Sequence, residues 1–126
     1  ELGVDSLPPQ VLEMIRTMTT AMKEVSCFFV REFAKESVAM LVGQDGDDPA
    51  GTMTEMKALH ENGVSPAEIL KGATIYPARW LGVDNRLGSI AVGKQANLLI
   101  VRVDPLENIG NLDSISVVIQ AGRVVE

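Results

Sequence analysis

The sequence predicts an α/β fold, with a helical part that contains one buried strand and a smaller part that is rich in β-structure. Residues 27–82 read as helix, strand, loop, helix and helix, the order of a βα unit whose helices pack outside a parallel sheet. From about Leu87 the chain changes to short β-rich runs separated by glycine. We therefore divide the chain into residues 1–86 and 87–126.

The first predicted helix is the stretch SLPPQVLEMIRTMTTAMKEV, which starts at Ser6 and the pair Pro8-Pro9. A metal site or a partner groove is one reading of its methionines, but methionine at helical spacing more often fills a core. We expect one apolar stripe facing a core, made of Val11, Met14, Ile15, Met18, Met22 and Val25. A second helical piece over about residues 27–34 would carry Cys27 as a plain buried thiol.

The run SVAMLV is almost uniformly apolar, which predicts a short strand over Val38–Val42 that is buried on both faces. Two helices should follow it. Thr52 with Glu55, and Ser65 with Glu68, have the spacing of a capping box, and the second pair has proline at the first helical position.

Three residues are expected to end or break these helices. Gly63 and Gly82 fit the left-handed stop of a helix, and Pro77 should break or kink the second helix between Ile75 and Ala78. In the β-rich part, a hairpin is predicted with Ala121-Gly122 at the turn between residues 117–120 and 123–125.

Composition excludes several classes of function. The formal net charge is −6, so no basic surface is available for nucleic acid or an anionic membrane. The sequence contains no run of 18 apolar residues, so no transmembrane helix is predicted. Its single cysteine cannot form an internal disulfide. The chain starts at Glu1 without methionine, which suits a fragment, a processed product or a product of tag removal. Localisation stays open for that reason, with the cytoplasm favoured.

The predicted strand runs into GQDGDD, where Asp45, Asp47 and Asp48 lie close together. A calcium loop that starts at Asp45 would need a glycine at its sixth position and a glutamate at its twelfth, where the chain has Ala50 and Met56. A P-loop would need a nearby lysine, and a receiver-type phospho-acceptor would need further βα units. We interpret Asp47 and Asp48 as solvated loop residues. Asp45 directly follows the buried strand, where parallel α/β folds hold catalytic groups.

The stretches VAMLVGQDG, GVSPAEILKGAT, ARWLG, LGSIAVGKQANLLIV and DPLENI resemble the metal-dependent amidohydrolases. The subgroup most similar contains imidazolonepropionase and the prolidase-like Xaa-dipeptidases, and the resemblance extends back through LPPQVLEMIRTM. It implies the C-terminal portion of a (β/α)₈ TIM-like barrel in residues 1–86. Residues 87–126 would then be the C-terminal strands of a small β-sandwich.

The resemblance also implies a role for Asp45. In the family this carboxylate binds or lies against a divalent metal, zinc being favoured, with one or two ions in the complete enzyme. It orients the attacking water and carries its proton to the leaving nitrogen. The implied substrate is a small amide or dipeptide that is hydrolysed at a C–N bond. The resemblance leaves open whether the protein forms a homo-oligomer.

Three residues depart from the family pattern. Gln44 replaces the usual threonine, Asn97 an aspartate, and Tyr76 an asparagine; the last two positions are structural. The family's metal-binding histidines have no counterpart, because His60 is the one histidine and is expected at the exposed end of a helix.

Two hypotheses follow from this pattern. In the first, the chain is a covalent part of such a hydrolase and is inactive by itself, because a catalytic zinc needs about three protein ligands and a barrel roughly 250 residues. In the second, it is a non-catalytic module whose unpaired strand edges and apolar faces need a partner chain.

Overall fold

The computed structural model describes residues 7–46 and 50–125. Four α-helices come first along the chain: α1 (Pro9–Lys35), α2 (Gly51–Glu61), α3 (Pro66–Gly72) and α4 (Ile75–Trp80). An antiparallel three-stranded sheet follows, in the order β1 (Leu98–Val101), β2 (Ile115–Gln120) and β3 (Arg123–Val124), and a 3₁₀ helix (Ile109–Ser114) precedes β2. Within these ranges no helix is both long and apolar enough to cross a membrane.

Helix α1 is one continuous helix where two pieces were predicted. It has Pro9 at its first position, as expected, whereas Ser6 lies outside the described residues. The prediction that its apolar stripe forms a core is wrong for the described chain, because Met14, Met18 and Met22 are 55–68% exposed. Only its C-terminal part, at Val30 and Ala34, packs against the buried cluster.

The predicted strand over Val38–Val42 is wrong for the described residues. The 38–44 segment belongs to no sheet, although a short apolar run of this kind favours one. A strand requires the backbone of a neighbouring strand, and here helices supply the partners instead. The Val42 N–H donates to the carbonyl oxygen of Gly72 at 3.0 Å, and the Gly43 N–H donates to the Glu55 carboxylate at 3.1 Å.

Of the two predicted capping boxes, the Ser65 half of one is present, and the Glu68 side chain bonds to Lys71 and Tyr76 instead of to the Ser65 N–H. The Ser65 hydroxyl accepts a hydrogen bond from the Glu68 N–H at 3.3 Å, and Pro66 occupies the first position of α3. The Thr52–Glu55 box is wrong, because Ala50 and not Thr52 is the residue before the first turn of α2, which starts at Gly51 without a side-chain cap. Thr52 therefore lies inside the helix, and Glu55 turns to the 38–44 segment.

The predicted helix stops are confirmed, but the effect of Pro77 lies elsewhere. Gly63 and Gly82 follow α2 and α4 with φ of 94° and 68°. The break comes at residues 73–74 rather than between Ile75 and Ala78, and Pro77 sits in the first turn of α4. Proline has no N–H and its ring collides with the carbonyl four residues earlier, so the preceding helix has to end before it.

A small hydrophobic cluster joins the two parts of the chain. Ile69 of α3 and Ile109 of the 3₁₀ helix are both 1% exposed. Met56, Leu59, Val64 and Leu112 complete this cluster, which we call the shared core. On the surface beside it, Lys57 forms an ion pair with Asp113 at 2.6 Å. The division at residue 86 stays a prediction.

The predicted hairpin is confirmed. Ala121 and Gly122 connect β2 to β3 with φ of 50° and 78°, the two left-handed residues of a two-residue hairpin turn. The Asn97 Oδ1 accepts the Ala121 N–H at 2.8 Å. An aspartate could accept the same bond, so Asn97 has the structural role predicted for it.

The stretch between α4 and β1 contains no strand, although its residues 88–92 were read as β-rich. Lys94 organises this stretch instead. Its ammonium donates to the Ser89 hydroxyl at 2.6 Å and to the carbonyl oxygens of Asp84 and Leu87. A lysine with three oxygen acceptors fixes the loop without any ladder of backbone hydrogen bonds.

Three side chains connect α3 to α4. The Glu68 carboxylate accepts hydrogen bonds from the Tyr76 hydroxyl at 2.6 Å and from the Lys71 ammonium at 2.7 Å. The bonds from Lys71 and Tyr76 lower the pKa of Glu68, and the bond to Glu68 raises the pKa of Tyr76. Tyr76 is thus structural, as expected.

Replacing Gly72 by alanine should destabilise the protein. Glycine-to-alanine changes in a helix usually stabilise it by up to about 1 kcal/mol. Here the new Cβ would lie 2.5 Å from the carbonyl oxygen of Met40, so the 38–44 segment has to move. We expect a loss of about 1–3 kcal/mol in the free energy of unfolding, measured by urea denaturation of the full-length natural protein.

The matched control is Gly43→Ala, since a Cβ on Gly43 meets no atom within 4 Å. Equal effects of the two substitutions would show that the close approach at Gly72 is unimportant.

Replacing Glu68 by glutamine should lower the melting temperature, by an amount that depends on pH. A carboxyl whose pKa is depressed in the folded state stabilises the fold above its ordinary value of 4.5, and this contribution is lost as the pH falls through the lower folded value. The difference from wild type should therefore be largest near neutral pH and shrink below 4.5. Thermal unfolding monitored over this range by circular dichroism measures it.

Glu107→Gln serves as the control, because Glu107 is exposed and makes no hydrogen bond or ion pair within the described part of the chain. A difference for Glu68→Gln that is constant across the pH range would contradict the prediction.

Candidate functional site

Asp45 is exposed and directly follows the 38–44 segment, at a bend that continues into Gly46 with φ of 145°. Its carboxylate is therefore open to solvent on a turn, and the backbone before it determines where it points. Asp47 and Asp48, predicted as solvated loop residues, lie outside the described residues.

Helix α3 holds the 38–44 segment from one side. The Val42 N–H bonds to the Gly72 carbonyl oxygen, and Gly72 is buried. A Cβ at Gly72 would lie 2.5 Å from the Met40 carbonyl oxygen and 3.2 Å from Cγ2 of Val42. The missing side chain is therefore what lets the segment lie this close to α3.

Helix α2 holds the same segment through its side chains. Glu55 is half-buried, and its Oε2 accepts the Gly43 N–H at 3.1 Å. Burial raises the pKa of Glu55, and the hydrogen bond from Gly43 acts in the opposite direction because it stabilises the carboxylate.

Gln44, the departure from the family pattern, lies across the start of α2. Its Nε2 donates to the carbonyl oxygen of Gly46 at 3.0 Å, so the side chain spans Asp45. A Cβ on Gly51 would lie 1.2 Å from the Gln44 Oε1. Glycine at this first position of α2 thus leaves the room that the larger side chain occupies.

The described residues do not make a metal centre by themselves. Within residues 7–46 and 50–125, no three histidine, cysteine, aspartate or glutamate side chains are grouped so that they could hold a metal ion. A catalytic zinc takes about three protein ligands, and Asp45 is one carboxylate. The metal implied by the resemblance does not fit these residues alone.

His60 lies at the C-terminal end of α2, whereas Gln44 lies against the N-terminal end of the same helix. His60 is half-buried in the last turn of α2, with Nδ1 3.2 Å from the Val64 carbonyl oxygen, where the Nδ1–H tautomer can donate. The histidine thus helps the chain turn after α2. Cys27 is half-buried in α1 and has no disulfide partner.

Sequence reasoning missed the part that Glu55 plays beside Asp45. Its distance from Thr52 suggested a helix cap, and its contact to Gly43 spans 12 residues along the chain. No local pattern predicts that contact. The available hint was the position of Glu55 near the start of α2, where a glutamate that does not cap its own helix is free to bond to another segment.

Similarity to known proteins extends over most of the chain. The model of the amidohydrolase family matches residues 11–125. Imidazolonepropionase of Shewanella frigidimarina is 51% identical over 37 residues, which are 29% of this chain and 9% of the relative. A putative N-acetylgalactosamine-6-phosphate deacetylase of Escherichia coli K12 is also 51% identical over 37 residues, 29% of this chain and 22% of the relative.

Among solved structures, a Xaa-Pro dipeptidase with methionine bound in its active site overlays with a TM-score of 0.82 and 26% identity. The overlay covers 98% of this chain and 30% of the dipeptidase. The chain therefore spans under a third of the length of these relatives. Since the family model covers nearly all of the described residues, the chain belongs to the amidohydrolase family.

Proposed function

We propose that this chain is the C-terminal part of a hydrolase that cleaves C–N bonds in cyclic amides or dipeptides, with Asp45 as its catalytic carboxylate. The observation that carries the proposal is the position of Asp45. It is an exposed carboxylate on a turn held by two helices, in a chain that overlays over 98% of its length with part of a Xaa-Pro dipeptidase. The related imidazolonepropionase favours a cyclic amide as the other substrate class.

The proposed architecture follows the same overlay. Residues 1–86 would form the last βα units of a (β/α)₈ barrel, and residues 87–126 the C-terminal strands of a small β-sandwich. In that arrangement the 38–44 segment is the last barrel strand, and its missing ladder partner comes from polypeptide outside this chain. The exposed apolar side chains of Val38 and Leu41 support this, because a barrel strand is covered on both faces.

Asp45 would act on a proton. Its carboxylate accepts a proton from the attacking water as the water oxygen bonds to the amide carbon. It then gives the proton to the leaving nitrogen as the C–N bond breaks, so the carboxylate is regenerated. The Asp45 carboxylate is exposed, so it is accessible to both a water and a leaving nitrogen.

A divalent metal, with zinc favoured, is proposed for the complete protein, and Asp45 would be one of its ligands. Such an ion lowers the pKa of a bound water to about 7. The other ligands would have to come from outside the described residues, since these contain no group of three.

A second candidate function is a non-catalytic module that binds a separate polypeptide. The exposed apolar residues of α1 favour it, because a face of this kind needs a cover: Met14, Ile15, Met18, Met22, Val25 and Phe29. The two candidates differ in whether the covering polypeptide is covalently attached. Reading the gene upstream for a His-x-His pair distinguishes them, and a compact monomer of this chain in solution would exclude the module.

Asp45→Asn in the full-length natural protein should lower kcat by about 10²–10⁴-fold, because the amide cannot accept the proton from water. Three probes define the assay: imidazolone propionate, methionyl-proline and N-acetylgalactosamine 6-phosphate. We expect turnover of one of the first two.

An unchanged melting temperature is the control that the variant still folds. Unchanged turnover by Asp45→Asn would refute the role of Asp45, and turnover of the sugar phosphate alone would refute the proposed substrate class.

The isolated 126-residue chain should bind no stoichiometric zinc. Its described residues lack a group of three ligands, and a single carboxylate binds the ion weakly. Equilibrium dialysis followed by elemental analysis measures the ratio of zinc to chain. Tight binding of one zinc per chain, together with hydrolase activity, would overturn the proposal that the other ligands lie elsewhere.

A further inference from the structure

Glu55 is a half-buried carboxylate that the proposed chemistry does not use. Its Oε2 accepts a hydrogen bond from the Gly43 N–H, 12 residues earlier in the chain. A bond between an ionised carboxylate and a backbone N–H is roughly twice as strong as one between neutral groups. Burial raises the pKa of Glu55 because the ionised carboxylate loses contact with water. The hydrogen bond from the Gly43 N–H stabilises the ionised form and offsets part of this loss.

The contact bears on Asp45 through the backbone. The peptide N–H groups of Val42 and Gly43 are consecutive, and α3 accepts the first while α2 accepts the second. Two adjacent peptide planes are thereby fixed from two helices. The chain is fixed just before Gly43, where the lack of a side chain would otherwise leave the backbone free to rotate.

The other side of Asp45 is restrained as well. The Gln44 side chain bonds to the Gly46 carbonyl oxygen and lies against Gly51 at the start of α2. Asp45 therefore sits in a short turn in which Gln44, the preceding residue, lies against α2 and bonds to Gly46, the following residue. Gly51 and Glu55 both belong to the N-terminal part of α2. The contacts of Gln44 and Glu55 therefore hold the residues around Asp45 against the same helix.

We propose that Glu55 is a positioning residue that sets the direction of the Asp45 carboxylate through its hydrogen bond to the Gly43 N–H. This rests on the proposed function of Asp45. Glu55 itself touches no substrate. Its contribution is geometric, and a displacement of about 1 Å at a reacting group can cost about 10²-fold in rate.

The test compares Glu55→Ala, Glu55→Gln and the control Glu61→Ala in the full-length natural protein. Glu61 lies on the same helix and is exposed, and its side chain makes no hydrogen bond or ion pair within the described residues. The assay uses whichever of imidazolone propionate and methionyl-proline the wild type hydrolyses. Hydrogen exchange of peptides covering residues 40–46, followed by mass spectrometry, gives a readout that does not depend on activity.

We expect Glu55→Ala to lower kcat about ten- to a hundredfold with KM nearly unchanged, since the substrate contacts remain. Exchange in residues 40–46 should become faster in the same variant. Glu55→Gln should restore most of both values, because its amide oxygen can still accept the Gly43 N–H. Glu61→Ala should change neither.

Normal kcat or normal exchange in Glu55→Ala would overturn the inference, and so would a glutamine variant as impaired as the alanine variant. Asp45→Asn separates the two proposals. If Asp45→Asn is inactive while Glu55→Ala is fully active, only the role of Glu55 fails. If Asp45→Asn is fully active, the proposed function fails and the catalytic role of Glu55 fails with it.

Discussion

The burial of Ile69 and Ile109 in one hydrophobic cluster is the constraint on which the described structure depends. These are the two most deeply buried large side chains, and they come from the two parts of the chain. Their burial in one cluster brings α3 and the 3₁₀ helix to the same core, and α2 contributes Met56 and Leu59 to it. Removing apolar surface from water is the largest favourable term available to so small a core. The surface ion pair between Lys57 and Asp113 contributes little in comparison.

The position of Asp45 depends on this core indirectly, through helices α2 and α3. Helices α2 and α3 are held by the core, and they in turn supply the partners of the 38–44 segment: Gly72, Glu55 and the space over Gly51. The segment thus receives from helices the hydrogen bonds that a strand would receive from its neighbours. The same segment exposes Val38 and Leu41, which is the surface that the proposed barrel would cover. In the proposed architecture, further polypeptide would also cover the exposed apolar face of α1.

Local features were predicted well from the sequence. The Ser65 cap, the left-handed residues Gly63 and Gly82, and the Ala121-Gly122 turn each depend on residues within a few positions of one another. The family was also recognisable, because motifs such as LGSIAVGKQANLLIV are long. The prediction failed where the outcome needed a distant partner. The apolar stripe of α1 and the apolar run over Val38–Val42 both have the right composition for burial, but composition does not say what lies opposite.

The sequence by itself determined the helices of residues 50–82, the hairpin, the family and the choice of Asp45 as the candidate carboxylate. Only the tertiary structure decided that Glu55 bonds to Gly43 instead of capping its own helix, and that Gly72 allows the 38–44 segment to approach α3. The physical reason is the range of the forces involved. Capping and turn formation are settled by backbone groups close in sequence, whereas a half-buried carboxylate pairs with whichever N–H the packing of the core brings to it.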